Sequence, residues 1–591
     1  MFLKRKLFFY TMTLCLSFKL YSLPVNHLEI ANMPTEFSRL ATDYENELFN
    51  YSPELGLFWG RHDVAHDRFM DYSVEATQHW QNREDGFLDA LNQIDEKTLQ
   101  GTLDYYTYLL LKETLENNKE SRICKEELWD INPAWGWHNK MTIIAEKQPV
   151  GTAEYRELAL KRWRTFNTVV ESQIINLKTG LKLGYTAPKP AIKGVLTQLK
   201  ILVDSKIEES PFFDFARRDN DKAFKTEVAH LIKTIINPSL KKYVDYLENE
   251  YFPLARNEIG VSALPSGSQC YQAKIKQETT LALTAKEIHE IGLRAIQKLS
   301  EEIAEIGSKK YGTKDIKVIF SKAKNDSINY FSSEQDILNY NLSALARVKL
   351  IVSNWFEEMP KSDGIIKSYP LHRAKTGASG EYHPPSEDGK EPGIFFINTY
   401  EPEKRNRIDM EATLFHELIP GHHFQVALNY ENKSLLPLNK YLWNAGYGEG
   451  WALYVERLAD EMGLYKDDIS RLGMLSNESL RAARLVVDTG IHAMHWSRDQ
   501  AIEYLAKYTA LDEAIIEGEI DRYIMLPGQA TSYMLGKFEI EQLRHLATER
   551  LGKLFDIRQF HNQILNNGVV SLPLLRTIID SWIVEEQKRN K

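Results

Sequence analysis

Three histidines and a glutamate crowd into FHELIPGHHFQ, residues 415–425. His416-Glu417 opens like the HExxH motif. In that motif a second histidine four residues on shares the helix face, two imidazoles hold one zinc, and the glutamate takes a proton from water. Here Pro420 stands at the fourth place, and histidines follow at 422 and 423. A regular helix turns about 100° and rises about 1.5 Å per residue, so His422 would point roughly 120° away from His416. His423 would share the face but lie about 10 Å along the axis. Ligands about 2.1 Å from one zinc cannot be that far apart. Pro420-Gly421 offers the way out, because proline disrupts the helix ladder and glycine relaxes the backbone beside it. The reading is a local bulge that absorbs two residues and brings His422 to the second ligand position. His423 then turns elsewhere to support the site, and His423 as the ligand is the alternative.

Catalytic zinc holds three protein groups and keeps one position open. The candidate third ligand is Glu449 in GYGEGWALYVE, 27 residues after His422 at the start of a glycine-heralded helix. Glu456, seven residues later on the same face, suits a hydrogen bond to a ligand histidine. Taken singly, each feature has a plain explanation: a chance His-Glu pair, a Gly-His-His turn, or a glutamate favoured by the helix dipole. Their order along the chain is what suggests a metal hydrolase.

Four stretches together resemble a large bacterial family built on a domain of unknown function. They are HELIPGHH (416–423), EGWALYVE (449–456), RLVVDTGIHAMHWS (484–497) and PGQATSYMLGK (527–537). The resemblance is strong over about residues 370–540 and looser over most of the remaining chain. That family is similar to Taq-type zinc carboxypeptidases and thimet-type oligopeptidases, and so is gluzincin-like. The resemblance implies a mainly α, large helical fold with a deep cleft and a small β-hairpin or sheet beside the metal helix. It implies one Zn2+ per chain on His416, His422 and Glu449, with Glu417 as the base. It also implies that Tyr533 donates to the oxyanion of a tetrahedral intermediate, and that the substrates are short peptides. The Pro-Gly insertion departs from those relatives, although dipeptidyl peptidase III also carries an enlarged spacing between its histidines.

Within the last two stretches, Pro527-Gly528 fits a helix start, and Gln529 and Tyr533, four apart, share a face. Arg522 and Tyr523 are candidates to meet a substrate carboxylate, since arginine binds carboxylates in bidentate fashion. Asp488 is a candidate supporting acid. His492 and His495 stand on a largely apolar stretch, where a histidine is more often a satisfied core residue.

The elements that must position these groups read as helices. Thr284-Ala-Lys-Glu287 is a capping box. Ile288, Ile291, Ala295, Leu299 and Ile303 follow at steps of three and four, with Gly307 as the stop. Helical patterns recur near 102–117, 153–180, 222–250, 334–357, 449–462, 475–494 and 540–550. Residues 260–280 lack helical period and read as the boundary between an N-terminal helical region (23–265) and a C-terminal catalytic region (266–591). Residues 393–400 read as a strand after a proline-rich turn, with an edge to offer an extended peptide.

At 591 residues, 43% hydrophobic and 26% charged, the chain has the composition of a globular protein. Lys4, Arg5 and Lys6 precede an apolar run, Leu7–Phe18, too short to span a bilayer. Residues 1–22 read as a cleavable export signal, giving a secreted or periplasmic protein with no stable membrane insertion. Cys15 lacks the small residues expected before a lipoprotein cysteine. Removing the signal takes away four positive charges and no negative ones, moving the formal net charge from −9 to −13. An acidic chain without clustered Lys and Arg excludes nucleic acid as a partner. Two cysteines remain, Cys124 and Cys270, able to pair in an oxidising compartment. The functional expectation is a zinc metallopeptidase acting as a carboxypeptidase, dipeptidase or oligopeptidase. The alternatives are a non-catalytic binding protein on the same fold, or a zinc hydrolase of a non-peptide amide or ester. Oligomeric state is not legible.

Overall fold

The computed structural model describes residues 35–369, 380–386 and 389–589. The export signal expected at 1–22 lies outside them, as does Asp388 of the expected turn. The fold is mainly α with one small sheet. No described helix is long and apolar enough to cross a membrane.

The helices that build the site are α1 (Ala285–Tyr311), α2 (Met410–Glu417), α3 (His422–Glu431), α4 (Ala445–Glu461), α5 (Asp468–Ala493), α6 (Glu513–Met525) and α7 (Ser532–Leu551). Helix α5 is buried almost all round, as expected of an axis that other helices wrap. Helix α1 lies against it, and Gly292 allows the approach, since a Cβ there would meet Leu485 and Val486 below 3 Å. The capping box at Thr284 and Glu287 forms as the sequence implies. Gly307, however, does not stop α1. The helix runs on to Tyr311 and ends at Gly312, whose φ of 69° is the left-handed conformation glycine adopts freely. Gly307 is small for packing instead, because a Cβ there would lie 2.0 Å from Ile319 Cδ1.

Residues 260–280 also differ from expectation. Gly267–Thr279 is a helix with Cys270, Tyr271 and Ile275 buried. Its polar residues face outward and hide the apolar stripe in a short segment. It packs on Leu103–Ser121, and Cys124 and Cys270 are disulfide-bonded. The apolar interior forms two clusters. One lies wholly within residues 57–255. The other joins Phe37, Tyr108 and Leu111 to the helices beyond residue 259.

Strands β1 (Gly364–Ser368), β2 (Gly380–His383) and β3 (Gly393–Ile397) form a mixed sheet in the order β1-β3-β2. β3 pairs in parallel with β1 and antiparallel with β2. The apolar strand expected at 393–400 is therefore present but central, because alternate side chains Phe395 and Ile397 point into the core. Its main-chain groups are taken on both sides. Any edge for an extended peptide belongs to β1 or β2.

Candidate metal centre

The Pro-Gly stretch does not bulge one helix; it separates two. Helix α2 ends at Glu417, residues 418–421 form a turn through a cis Ile419–Pro420 peptide, and α3 starts afresh at His422. Gly421 is what lets the chain fold back over the end of α2. A Cβ at 421 would lie 1.8 Å from the carbonyl oxygen of His416 and 2.4 Å from that of Phe415. The Pro420 carbonyl accepts a hydrogen bond from the indole of Trp451 at 3.1 Å. A side chain of the EGWALY stretch thereby ties down the break in the His-Glu stretch.

This arrangement brings His416, His422 and Glu449 together. One ligand-type atom from each lies within 4.8 Å of the others. Glu449 Oε2 is 3.6 Å from His416 Nε2 and 3.4 Å from His422 Nε2. Those gaps are longer than a charge-assisted hydrogen bond, at about 2.8 Å. They match two ligands held tetrahedrally about 2.1 Å from one ion, which stand roughly 3.4 Å apart. His416 Nδ1 donates to Glu456 Oε1 at 2.7 Å, leaving Nε2 to face the cluster. His422 Nδ1 is buried without a hydrogen-bond partner. Two imidazoles and a carboxylate, one imidazole braced by a buried acid, form a donor set that fits a divalent ion such as zinc.

The electrostatics agree. Burial opposes a charge on His416, yet the carboxylates of Glu449 and Glu456 outweigh it and raise its pKa to about 9. Burial would raise Glu449, but the two imidazoles beside it, His416 and His422, hold it well below the usual carboxylate range. Glu417, at the last turn of α2, is raised by burial against the pull of both histidines. The cluster is thus rich in carboxylate.

A glycine crossing sets the opposite wall. Helices α4 and α7 run in backbone contact. A Cβ on Gly536 would lie 1.8 Å from the Gly446 carbonyl oxygen, and one on Gly450 would lie 2.5 Å from Gly536 Cα. Glu449 directly precedes Gly450, and Tyr533 stands one turn before Gly536. Burial raises the Tyr533 phenol first, and the Glu449 charge raises it further. The Glu449 charge thus bears on Tyr533, which stands in the first turn of α7. Gln529 stands in a 3-10 turn, Gln529–Thr531, that precedes α7.

Other expected residues have different work. His423 is turned away from the cluster: Nε2 donates to the Ser362 carbonyl at 2.9 Å, and Nδ1 accepts from Tyr382 Oη at 3.0 Å. It pins α3 to the sheet, lying against Gly364 and Gly393. Asp488 is buried and bonds Tyr271 Oη at 2.6 Å and the Gly528 amide at 3.1 Å, so it anchors the turn before Tyr533. His492 is the satisfied core residue: Nδ1 accepts from the Val261 amide and Nε2 donates to the Tyr523 carbonyl, both at 3.0 Å. His495 is exposed. Tyr523 is fully buried, accepting from Arg484 Nε at 2.7 Å and donating to Glu519, so it has no face for a substrate. Arg522 bonds Gln529 at 2.7 Å and Glu519 at 3.0 Å.

Sequence reasoning passed over Arg481 and Arg484. The Arg484 guanidinium stacks 4.5 Å from the Tyr533 ring centre, and Arg481 lies 5.9 Å from it and 4.0 Å from Glu456. Their signal was available as two arginines three apart in the otherwise apolar run Leu480–Val487.

Residues 53–579 match the family described as "Bacterial protein of unknown function (DUF885)". The chain belongs to that family. No curated protein matches it. Among solved structures it is similar to a protein from Colwellia psychrerythraea described as a "putative lipoprotein". That match has a TM-score of 0.85 at 25% identity and covers 93% of this chain and 99% of the other. It is also similar to a Shewanella oneidensis protein described as a "putative lipoprotein of unknown function". There the TM-score is 0.73 at 18% identity, covering 92% and 100%, and the likeness is one of fold.

Proposed function

We propose that this DUF885 protein is a zinc-dependent hydrolase of short peptides. The observation that carries the reading is the convergence of His416, His422 and Glu449 beside Glu417. Zinc held by these three residues, one ion per chain, supplies polarisation of a carbonyl and a readily ionised water. Glu417 is the residue to take the proton of the attacking water, since it adjoins His416 and its raised pKa makes it a competent base. Glu456 fixes the His416 ring so that Nε2 faces the cluster. Tyr533 donates to the oxygen that gains negative charge, with the Arg484 guanidinium over its ring to ease that donation.

The Colwellia psychrerythraea neighbour described as a "putative lipoprotein", together with the basic and apolar residues 4–18, supports an envelope or exported location. The disulfide between Cys124 and Cys270 agrees with an oxidising compartment.

The deciding experiment is metal content and peptide hydrolysis on one set of variants. About one zinc per chain is expected in wild type and His423→Gln, and none in His422→Ala. Glu417→Gln is expected to keep zinc and lose hydrolysis. Full activity in Glu417→Gln would sink the mechanism. Lack of stoichiometric metal in zinc-supplied wild type would sink the metal reading.

A further inference from the structure

Away from the metal cluster, a cavity of about 280 Å3 lies where the N-terminal helices meet the end of α6. Its walls include Trp135, Trp129, Asp130, Glu127, Asn176 and Leu526. Three lining side chains are acids, Asp130, Glu126 and Glu127, against a single lining cation, Lys140. Glu126 is tied by Lys274 at 3.1 Å. Asp130 is different. Among the described residues no group hydrogen-bonds its carboxyl or pairs with it within 4 Å; burial pushes it up to about 6 while the Lys140 ammonium pulls the other way. Asn176, 2% exposed, donates from Nδ2 to the Tyr72 carbonyl at 2.7 Å, but its Oδ1 is buried without a partner.

The cavity therefore holds one acidic acceptor without a donor, the half-buried Asp130 carboxyl, whereas Asn176 Oδ1 is closed off from it. A carboxylate without a donor is complemented by a ligand bringing N–H groups and positive charge. The indoles suit the same partner, because a cation is attracted to an indole face. Trp129 already has the Arg256 guanidinium 6.0 Å from its ring centre, whereas Trp135 is 49% exposed. The volume, just under the usual range of about 300–1,000 Å3 for small-molecule pockets, suits a lysine-sized stem. We propose that this cavity binds an alkylammonium group, with the Asp130 carboxyl as its acceptor and Trp135 as its aromatic wall. Leu526 lines the cavity and leads in three residues to Gln529, at the turn before Tyr533. That continuity favours an ammonium carried on a peptide over a free amine. The binding inference itself does not depend on hydrolysis.

The test is calorimetric titration of the full chain with n-butylammonium, Nα-acetyl-lysine amide and n-butanol. Both cations are expected to bind saturably and butanol is not. Asp130→Asn is expected to weaken both cations about tenfold or more, the loss of a charged hydrogen bond. Trp135→Ala is expected to weaken them about twofold to fivefold. Tighter binding of the lysine amide assigns the site to peptide-borne ammonium, and tighter binding of butylammonium assigns it to free amines. Absence of saturable binding by either cation, equal binding of butanol, or wild-type affinity in Asp130→Asn would overturn the proposal. Should Asp130→Asn fail to fold, wild-type affinity in Trp135→Ala decides against it, since that half-exposed side chain can be removed without opening the core.

Discussion

Trp451 Nε1 donates to the carbonyl oxygen of Pro420 at 3.1 Å, and both groups are buried. Trp451→Phe keeps most of the ring volume and leaves that carbonyl without its donor. The expected outcome is a loss of about 1–3 kcal/mol in unfolding free energy, read from urea denaturation. If zinc is the resident ion, affinity also falls roughly tenfold or more, because the turn between the two histidines loses its tether. An unchanged denaturation midpoint with unchanged metal affinity would show that the bond contributes nothing.

Gly536→Ala places a methyl 1.8 Å from the Gly446 carbonyl. Helices α4 and α7 must then separate, at a cost of about 1–3 kcal/mol or more. Gly86→Ala is the matched control. Gly86 lies within the helix Val74–Gln93 with open space where its Cβ would be, so alanine there should stabilise by up to about 1 kcal/mol. Thermal midpoints moving in opposite directions are the expected result.

Tyr533→Phe removes the phenol and keeps the ring under Arg484. On the hydrolytic reading, kcat falls about 100- to 1,000-fold while metal content stays at the wild-type level. A fall in KM alone, or no fall, would assign Tyr533 to packing.

How much of this was legible in the sequence follows from the kind of interaction involved. The capping box at Thr284 and the helices of the C-terminal half were readable because their signals are local. The partnership of Glu456 with His416 was readable because a heptad places Glu449 and Glu456 on one face. The separation of α2 from α3 was not, since Pro-Gly signals a disturbance without saying whether a helix bends or ends. The central place of β3 was hidden for a similar reason: an apolar strand of five residues looks alike at an edge and in the middle. Gly267–Thr279 escaped because its buried stripe is short and its remaining residues are polar. Tyr523 and Asp488 looked like site residues by proximity in sequence, but their hydroxyl and carboxylate are spent on Glu519 and Arg484 and on Tyr271 and Gly528.

Asp488 gives the pH prediction. Burial pushes its carboxyl up to about 7, against the hydrogen bonds from Tyr271 and Gly528 that favour the anion. Unfolded, it titrates near 3.9. Between those values the folded chain holds more protons than the unfolded one, so this group lowers stability as pH rises from about 4 to 7 and then levels off. Asp488→Asn abolishes that slope. It adds a pH-independent penalty of about 1–3 kcal/mol, because the amide nitrogen takes the place of Oδ2, which has no partner. Urea midpoints of both proteins from pH 5 to 8 should show the variant gaining on wild type as pH rises. Parallel curves would contradict the shifted carboxyl.

The bond between Cys124 and Cys270 closes a loop of 146 residues. On the chain-entropy account, opening it by Cys→Ser at both positions removes about 5 kcal/mol. Denaturation with and without reductant should reproduce that loss in wild type, and the native protein should show no thiol reactive with an aromatic disulfide reagent at these positions.

His416 and His422 sit on separate helices, so the distance between their rings is a property of tertiary assembly and not of helical pitch. The four residues that join them set that distance through the close approach of Gly421 to the His416 carbonyl and the grip of Trp451 on Pro420. A site of this kind exists only in the packed chain. Its donors come into register only when α4 docks against both halves, and any ion that bridges them acts as a clasp holding the junction closed.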